Sequence, residues 1–164
     1  SYVYKRQHLS DAVGGLWAAE AALRLSEAGA VFNPYFSLMA TGNHGLIDDA
    51  GFPRFSYAAF RELTHYRGET VDLTSDDPNL WVHGSRENGL ITVFALNTAA
   101  AATPLTITLP GYAVVGAKTI TDADVNADRP PRPLAVAAPL TLPPLSLTRL
   151  VLKSSSPSLS LIHI

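Results

Sequence analysis

The stretch that most limits what this chain can fold into covers residues 31–63. Val31-Phe32-Asn33-Pro34-Tyr35-Phe36-Ser37-Leu38-Met39 is an almost unbroken apolar run. A strand with one wet side alternates apolar and polar residues, so this run suits a strand covered on both faces. Pro34 removes a ladder donor, which puts the paired part from Tyr35 onward. A glycine-punctuated loop, Gly42 to Arg54, follows it. Residues 56–63 then read as a helix in which Tyr57, Phe60 and Leu63 recur at helical spacing. Strand, loop and helix in this order form a unit of an α/β fold.

Upstream, Ser10-Asp11 can cap a helix that continues to Ala28 and stops at Gly29. Gly14-Gly15 would cost it about 1 kcal/mol per glycine in its interior, so its expected start is after Gly15. Glu20, Arg24 and Glu27 share one stripe and read as a solvated charged face with local ion pairs. Helix, strand and helix make an αβα piece up to Gly68, the expected stop of the second helix. A lone strand leaves its edges unpaired, so this piece is expected to be the end of a larger domain.

From Glu69 onward the reading is β throughout. Asn88-Gly89 sits between two apolar runs, 80–85 and 90–97, which is a hairpin signature. Residues 105–109, 117–121 and 140–142 read as further strands. In the last run Leu145 and Leu147 fall in one phase and Leu150 and Leu152 in the other, so a bulge is expected near Thr148-Arg149. Short strands at this spacing suggest an antiparallel sandwich over 69–153.

Composition excludes several function classes. The 164 residues are 47% hydrophobic and 16% charged with a formal charge of -2, which argues against nucleic acid as a partner. There is no cysteine for a disulfide framework or thiolate metal site. No apolar run reaches the roughly 18 residues of a membrane span, so no membrane partner is expected. Asp122, Asp124, Asn126 and Asp128 alternate like calcium ligands, but the turn glycine is absent and Pro133 stands where the bidentate glutamate belongs. They read as a polar surface loop, and the histidines at 8, 44, 65, 83 and 163 show no paired metal spacing. No metal and no cofactor are expected. Both ends, 1–7 and 159–164, resemble translated sequencing-adapter read-through, as found in assembled environmental sequence. Residues 1–7 are thus expected to be non-native, and 154–164 a disordered or artefactual tail.

Three stretches carry a resemblance to a known family. They are residues 45–54 leading into 56–60, the strand Val93-Phe94-Ala95-Leu96-Asn97, and the run Leu142-Pro143-Pro144-Leu145-Ser146-Leu147-Thr148. In this order they resemble the C-terminal part of retaining (β/α)8-barrel glycoside hydrolases of the β-xylosidase and α-L-iduronidase kind, with cellulase-like and arabinofuranosidase-like relatives. The resemblance covers roughly residues 9–153. It implies that 8–68 is the last helix-strand-helix of a TIM barrel and 69–153 an appended all-β antiparallel sandwich, in a truncated chain.

The resemblance also implies chemistry. In that family one glutamate protonates the leaving oxygen while a second, ionised, attacks the sugar carbon from the opposite face. Glu20, Glu27 and Glu62 are read as helical, Glu69 follows a helix and Glu87 lies in a hairpin turn, so none ends a buried barrel strand. The catalytic pair is expected to be missing and the chain itself inactive. What remains would be pocket wall, because barrel sites lie at the C-terminal ends of strands and in the loops after them. Tyr35, Phe36, Ser37, Asn43 and His44 are the candidate substrate-binding residues, with rings to stack on sugar and polar groups to bond hydroxyls. The competing reading makes the aromatics barrel core and Asn43-His44 a polar turn. Two function classes therefore stand: a fragment of a carbohydrate-cleaving enzyme, and a non-catalytic carbohydrate-binding or interaction module in which Trp81 could be a sugar platform.

Overall fold

The structure, a computed structural model, describes residues 10–31, 35, 37–39 and 45–155. Two helices come first, α1 (Ala12–Glu27) and α2 (Phe55–Leu63). Strands β1 (Glu69–Val71), β2 (Leu80–Glu87), β3 (Leu90–Asn97), β4 (Thr103–Leu105) and β5 (Tyr112–Ile120) follow, then a short helix α3 (Asp122–Asn126). Strands β6 (Arg132–Pro133), β7 (Leu140–Leu142) and β8 (Ser146–Ser154) complete the described elements. All strand pairings are antiparallel, in a six-stranded sheet ordered β1-β2-β3-β8-β5-β6 and a two-stranded ribbon β4-β7.

The large sheet is covered on both faces, which explains its apolar strands. Phe94 and Leu96 of β3, Ile120 of β5 and Leu147 of β8 pack with Leu16, Ala19 and Leu23 of α1 and Phe55, Ala58 and Ala59 of α2. The alternate residues Ile91, Val93 and Ala95 of β3, with Leu150 and Leu152 of β8, pack with Leu105, Leu140 and Leu142 of the ribbon. A strand whose two faces are both buried loses the polar alternation of a half-wet one. Burying a side chain such as Phe94 contributes about 1.5–3 kcal/mol, so β3 and β8 carry much of the fold.

Several expectations hold. Asp11 caps α1, its Oδ1 accepting from the N–H groups of Val13 at 3.0 Å and Gly14 at 3.2 Å. Gly29 ends it with φ +83°, a conformation open to glycine. The β2-β3 hairpin turns through Asn88 and Gly89, with φ 52° and 77°, the left-handed pair of a type I′ turn.

Others are corrected. α1 starts at Ala12, with Gly14 and Gly15 inside it. A Cβ at Gly15 would lie 2.4 Å from Phe55 Cδ1, so the glycine lets α2 approach. The buried residues of α2 are Phe55, Ser56, Ala58, Ala59 and Glu62, leaving Tyr57, Phe60 and Leu63 only half-buried. The helix ends at Leu63, well before Gly68, where an added Cβ would lie 2.2 Å from Arg86 O. Residues 122–126 are helical, because Thr121 and Asp124 form a capping box, and so they are no loop. The bulge lies in β5 between Val114 and Gly116, and the phase change in β8 arises because Leu147 faces the helices while Leu150 and Leu152 face the ribbon. Of the expected strand 105–109 only Leu105 is paired, as the last residue of β4, although Ile107 and Leu109 still pack on the ribbon-side core. β8 reaches Ser154, and the Ser155 N–H donates to Gly111 O at 2.8 Å, so the fold extends into the expected tail.

Candidate functional site

The turn that follows the candidate pocket-wall residues is built around Asp48. Its Oδ1 accepts from the N–H groups of Ala50 and Phe52, both at 2.9 Å, and its own N–H donates to Phe52 O at 2.9 Å. Gly51 takes φ +88° to close this turn. Arg54 locks the base, with Nη1 donating to Gly45 O and its backbone N–H to Leu46 O, each at 2.9 Å. The turn is tied back to the preceding segment by Leu46 N–H to Ser37 O at 3.0 Å and Ile47 N–H to Leu38 O at 2.9 Å. Met39 and Ile47 thus form a parallel bridge, and Ile47 pairs antiparallel with Pro53.

This is less than the expected fully covered strand. Among the described residues of 31–39, Met39 alone joins a bridge, and Val31, Leu38 and Met39 are exposed. Tyr35 is half-buried, its ring edge-on to Phe60 at 5.2 Å between centroids. That contact commits part of the ring to packing on α2. The Ser37 hydroxyl donates to Met39 O at 3.1 Å. Phe36, Asn43 and His44 lie outside the described residues, as do both expected artefactual ends apart from Ser154 and Ser155.

A cavity of about 460 Å³ opens between this turn, the start of α1 and α3, lined by Asp48, Arg54, Asp122 and Asn126 among others. Two of its carboxylates, Asp48 and Asp122, already have structural work. Asp122 Oδ2 accepts from the Ala12 N–H at 3.0 Å, satisfying a donor at the α1 N-terminus. Burial pushes the Asp122 carboxyl up, against the lowering effect of that hydrogen bond. Asp124 is pushed up by burial, but its bonds to Thr121 and the Arg132 guanidinium outweigh this and hold it low. Among the described residues no group of His, Asp and Glu side chains is arranged to hold a metal ion.

The buried charges missed by sequence reasoning lie between the helices and the sheet. Glu20, expected on a solvated face, is buried: its Oε2 is 2.6 Å from His83 Nε2 on β2, and its Oε1 pairs with the exposed Arg24. Glu27 Oε1 sits 2.7 Å from the other ring nitrogen, Nδ1. Glu62 of α2, also buried, accepts from Arg149 Nε of β8 at 2.9 Å. Burial raises the Glu20 carboxyl, but His83 and Arg24 outweigh it and its pKa falls below the ordinary value. Acids on the helices therefore meet bases on the sheet. Trp81 packs against the same helix-side core, which removes much of its ring from any sugar.

Fold and site together define a class: a small α/β unit in which a helical layer is fastened by apolar and ionic contacts to an antiparallel sheet. Structures of glycoside hydrolases share this fold. An endoxylanase of glycoside hydrolase family 30 from Clostridium papyrosolvens superposes with TM-score 0.63 at 15% identity, over 87% of this chain and 38% of that one. A family 44 xyloglucanase from Paenibacillus polymyxa gives TM-score 0.66 at 16% identity, over 90% of this chain and 30% of its own. A monomeric beta-xylosidase from Caulobacter crescentus gives 0.57 at 15% identity, over 95% and 44%. At such identity the likeness is one of fold, and this chain spans less than half of each. No family model matches the chain, and no curated protein matches it.

Proposed function

We propose that this chain is the C-terminal part of a retaining glycoside hydrolase that cleaves O-glycosidic bonds with two glutamates supplied by sequence upstream of it. α1, the segment around Met39 and α2 would be the last helix-strand-helix of a (β/α)8 barrel, and the sheet with its ribbon the appended sandwich. The observation that carries this reading is the shared fold across the helical layer and the sheet together, 87% of the chain in the family 30 endoxylanase. The chain's own carboxylates support it from the other side. Four of the five glutamates are engaged in ion pairs: Glu20 and Glu27 bracket His83, Glu62 holds Arg149 and Glu69 pairs with Arg86, while Glu87 is exposed at the end of β2. A retaining pair needs two carboxyls about 5–5.5 Å apart across an open sugar site. Tyr35, Phe36, Ser37, Asn43 and His44 would contribute pocket wall to the complete barrel, with a carbohydrate as the partner. The role of the sheet in this reading is mechanical, to hold the helical layer.

The experiment is an assay of the purified chain on a panel of aryl glycosides, beside the polypeptide expressed from an upstream-extended reading frame. The chain alone should give no turnover above buffer. The extended polypeptide should hydrolyse with retention and lose activity when either strand-terminal glutamate is replaced. Turnover by the chain alone that vanishes on replacing one of its own glutamates would overturn the proposal, and so would an extension without further βα units.

A further inference from the structure

His83 stands on β2 with 3% of its side chain exposed. Its Nε2 lies 2.6 Å from Glu20 Oε2 and its Nδ1 2.7 Å from Glu27 Oε1. Both carboxylates project from α1, seven residues apart in the sequence, two turns of the same helix. An ionised carboxylate only accepts, and a neutral imidazole has one N–H to give. With both carboxylates ionised, the two contacts are both hydrogen bonds only when both ring nitrogens carry protons.

We propose that His83 is a proton-operated clasp: as imidazolium it ties the second half of α1 to β2 through Glu20 and Glu27, and loss of its proton releases that half from the sheet. The groups around it fit this role. From α1, the Arg24 guanidinium shares Glu20. From the segment after α2, the Tyr66 hydroxyl approaches the same Glu27 Oε1 at 3.4 Å, and the Arg67 side chain is turned away to Thr64 O. Across the sheet the neighbour of His83 on β3 is the apolar Phe94, and beyond it on β8 Arg149 is neutralised by Glu62. Glu20 and Glu27 are thus the two acids bonded to the ring.

The sign follows from the shifts. Burial pulls the His83 pKa down, but the hydrogen bonds and charges of Glu20 and Glu27 outweigh it and the pKa is raised. A raised folded pKa gives stability that is fully present below the unfolded value of about 6.5 and lost as pH rises through the folded value. On the acid side, the lowered Glu20 contributes above its unfolded value of about 4.3 and its share is lost as pH falls through the folded one. The clasp is closed between these limits.

Hydrogen exchange of the full chain, each amide normalised to its intrinsic rate, tests the proposal. Above pH of about 6.5 the opening of residues 20–27 should grow by up to about tenfold per pH unit until His83 has titrated, while β3 stays level. His83→Gln should flatten this dependence. A flat profile in the unaltered chain, or an unchanged slope in the variant, overturns the clasp. If the variant does not fold, NMR titration of the imidazoles of the unaltered chain decides. His83 should titrate above the ordinary value, while His65, lowered by burial and by Arg149, titrates below it. A His83 midpoint at or below the ordinary value overturns the proposal.

Discussion

The helical layer and the sheet solve the problem of apolar surface differently. Both faces of the sheet are covered by this chain, by α1 and α2 on one side and the β4-β7 ribbon on the other. The helical layer buries only the face it turns to the sheet. Among the described residues, Val13, Trp17, Leu25, Val31, Leu38, Met39 and Phe52 are exposed before α2, against Leu90, Val115 and Val136 in the sheet half. Backbone pairing follows the same line: β3 is bonded along both edges, by β2 and by β8, whereas Met39 has an isolated bridge. The sheet is paired along its central strands and covered on both faces, and the helices that cover one of those faces are attached to it by a shared core and a few buried ion pairs.

Removing the centre of that shared core should have the largest effect. Phe94 is fully buried where β3 meets the helices, beside the Tyr66 ring at 6.3 Å. Phe94→Ala should cost about 3–5 kcal/mol, the range for emptying an aromatic site. Urea unfolding followed by both helical and tyrosine signals would measure it. If the helical signal were lost early while the sheet kept its midpoint, the two halves would be coupled less tightly than one core implies.

Next comes the Arg149-Glu62 pair, whose side chains are 14% and 9% exposed. Breaking a buried pair from one side costs about 3–5 kcal/mol because it strands a charge, with the partial exposure of Arg149 favouring the lower end. Replacing both with apolar residues of similar size should recover most of the loss. A double-mutant cycle of Arg149→Met and Glu62→Leu measures the coupling. A double loss equal to the sum of the two single losses would show no coupling, so that shape, not charge, fastens α2.

The sequence made the sheet half readable because its signals are local. Asn88-Gly89 requires two left-handed residues whatever surrounds it, and the apolar runs of β2 and β3 flank it directly. The helix-to-sheet contacts are not local. Glu20 and His83 are 63 residues apart, and a glutamate stripe at helical spacing looks the same whether water or an imidazole lies across from it. α3 was legible and missed, since Thr121 and Asp124 have the spacing of a capping box. Of the pocket-wall candidates, Tyr35 and Ser37 can be placed and each already has a partner within the chain.

Two further substitutions set the same contrast at smaller scale. Asn97, fully buried at the end of β3, donates to Ala101 O at 3.0 Å and Pro143 O at 2.7 Å, and accepts from the Ala99 N–H and the Thr103 hydroxyl. Asn97→Leu orphans buried groups and should cost about 1–3 kcal/mol, read in urea as a lower midpoint at unchanged slope. Gly15→Ala should cost a similar or smaller amount, about 1–3 kcal/mol, because the new methyl meets Phe55 even though alanine is the better helix former. A gain in stability there would mean that α2 yields easily, making the helical layer softer than the sheet.

The smallest expected effect on stability belongs to Trp17, and it sharpens the comparison most directly. The side chain is 68% exposed on α1, on the same helical stripe as Val13 four residues before it and Ala21 four after. Since little of its surface is buried within this chain, Trp17→Gln should change unfolding free energy by no more than about 0.5 kcal/mol. Solution behaviour should respond more. An exposed aromatic on an apolar stripe promotes self-association, so the variant should stay monomeric to higher concentration in light scattering. The corresponding change at Val115, the 57% exposed residue at the β5 bulge, should alter neither quantity, because it stands apart from any such stripe. A large loss of stability in Trp17→Gln would place that ring in a contact belonging to the fold itself. The outer face of the helical layer would then be as self-contained as the sheet.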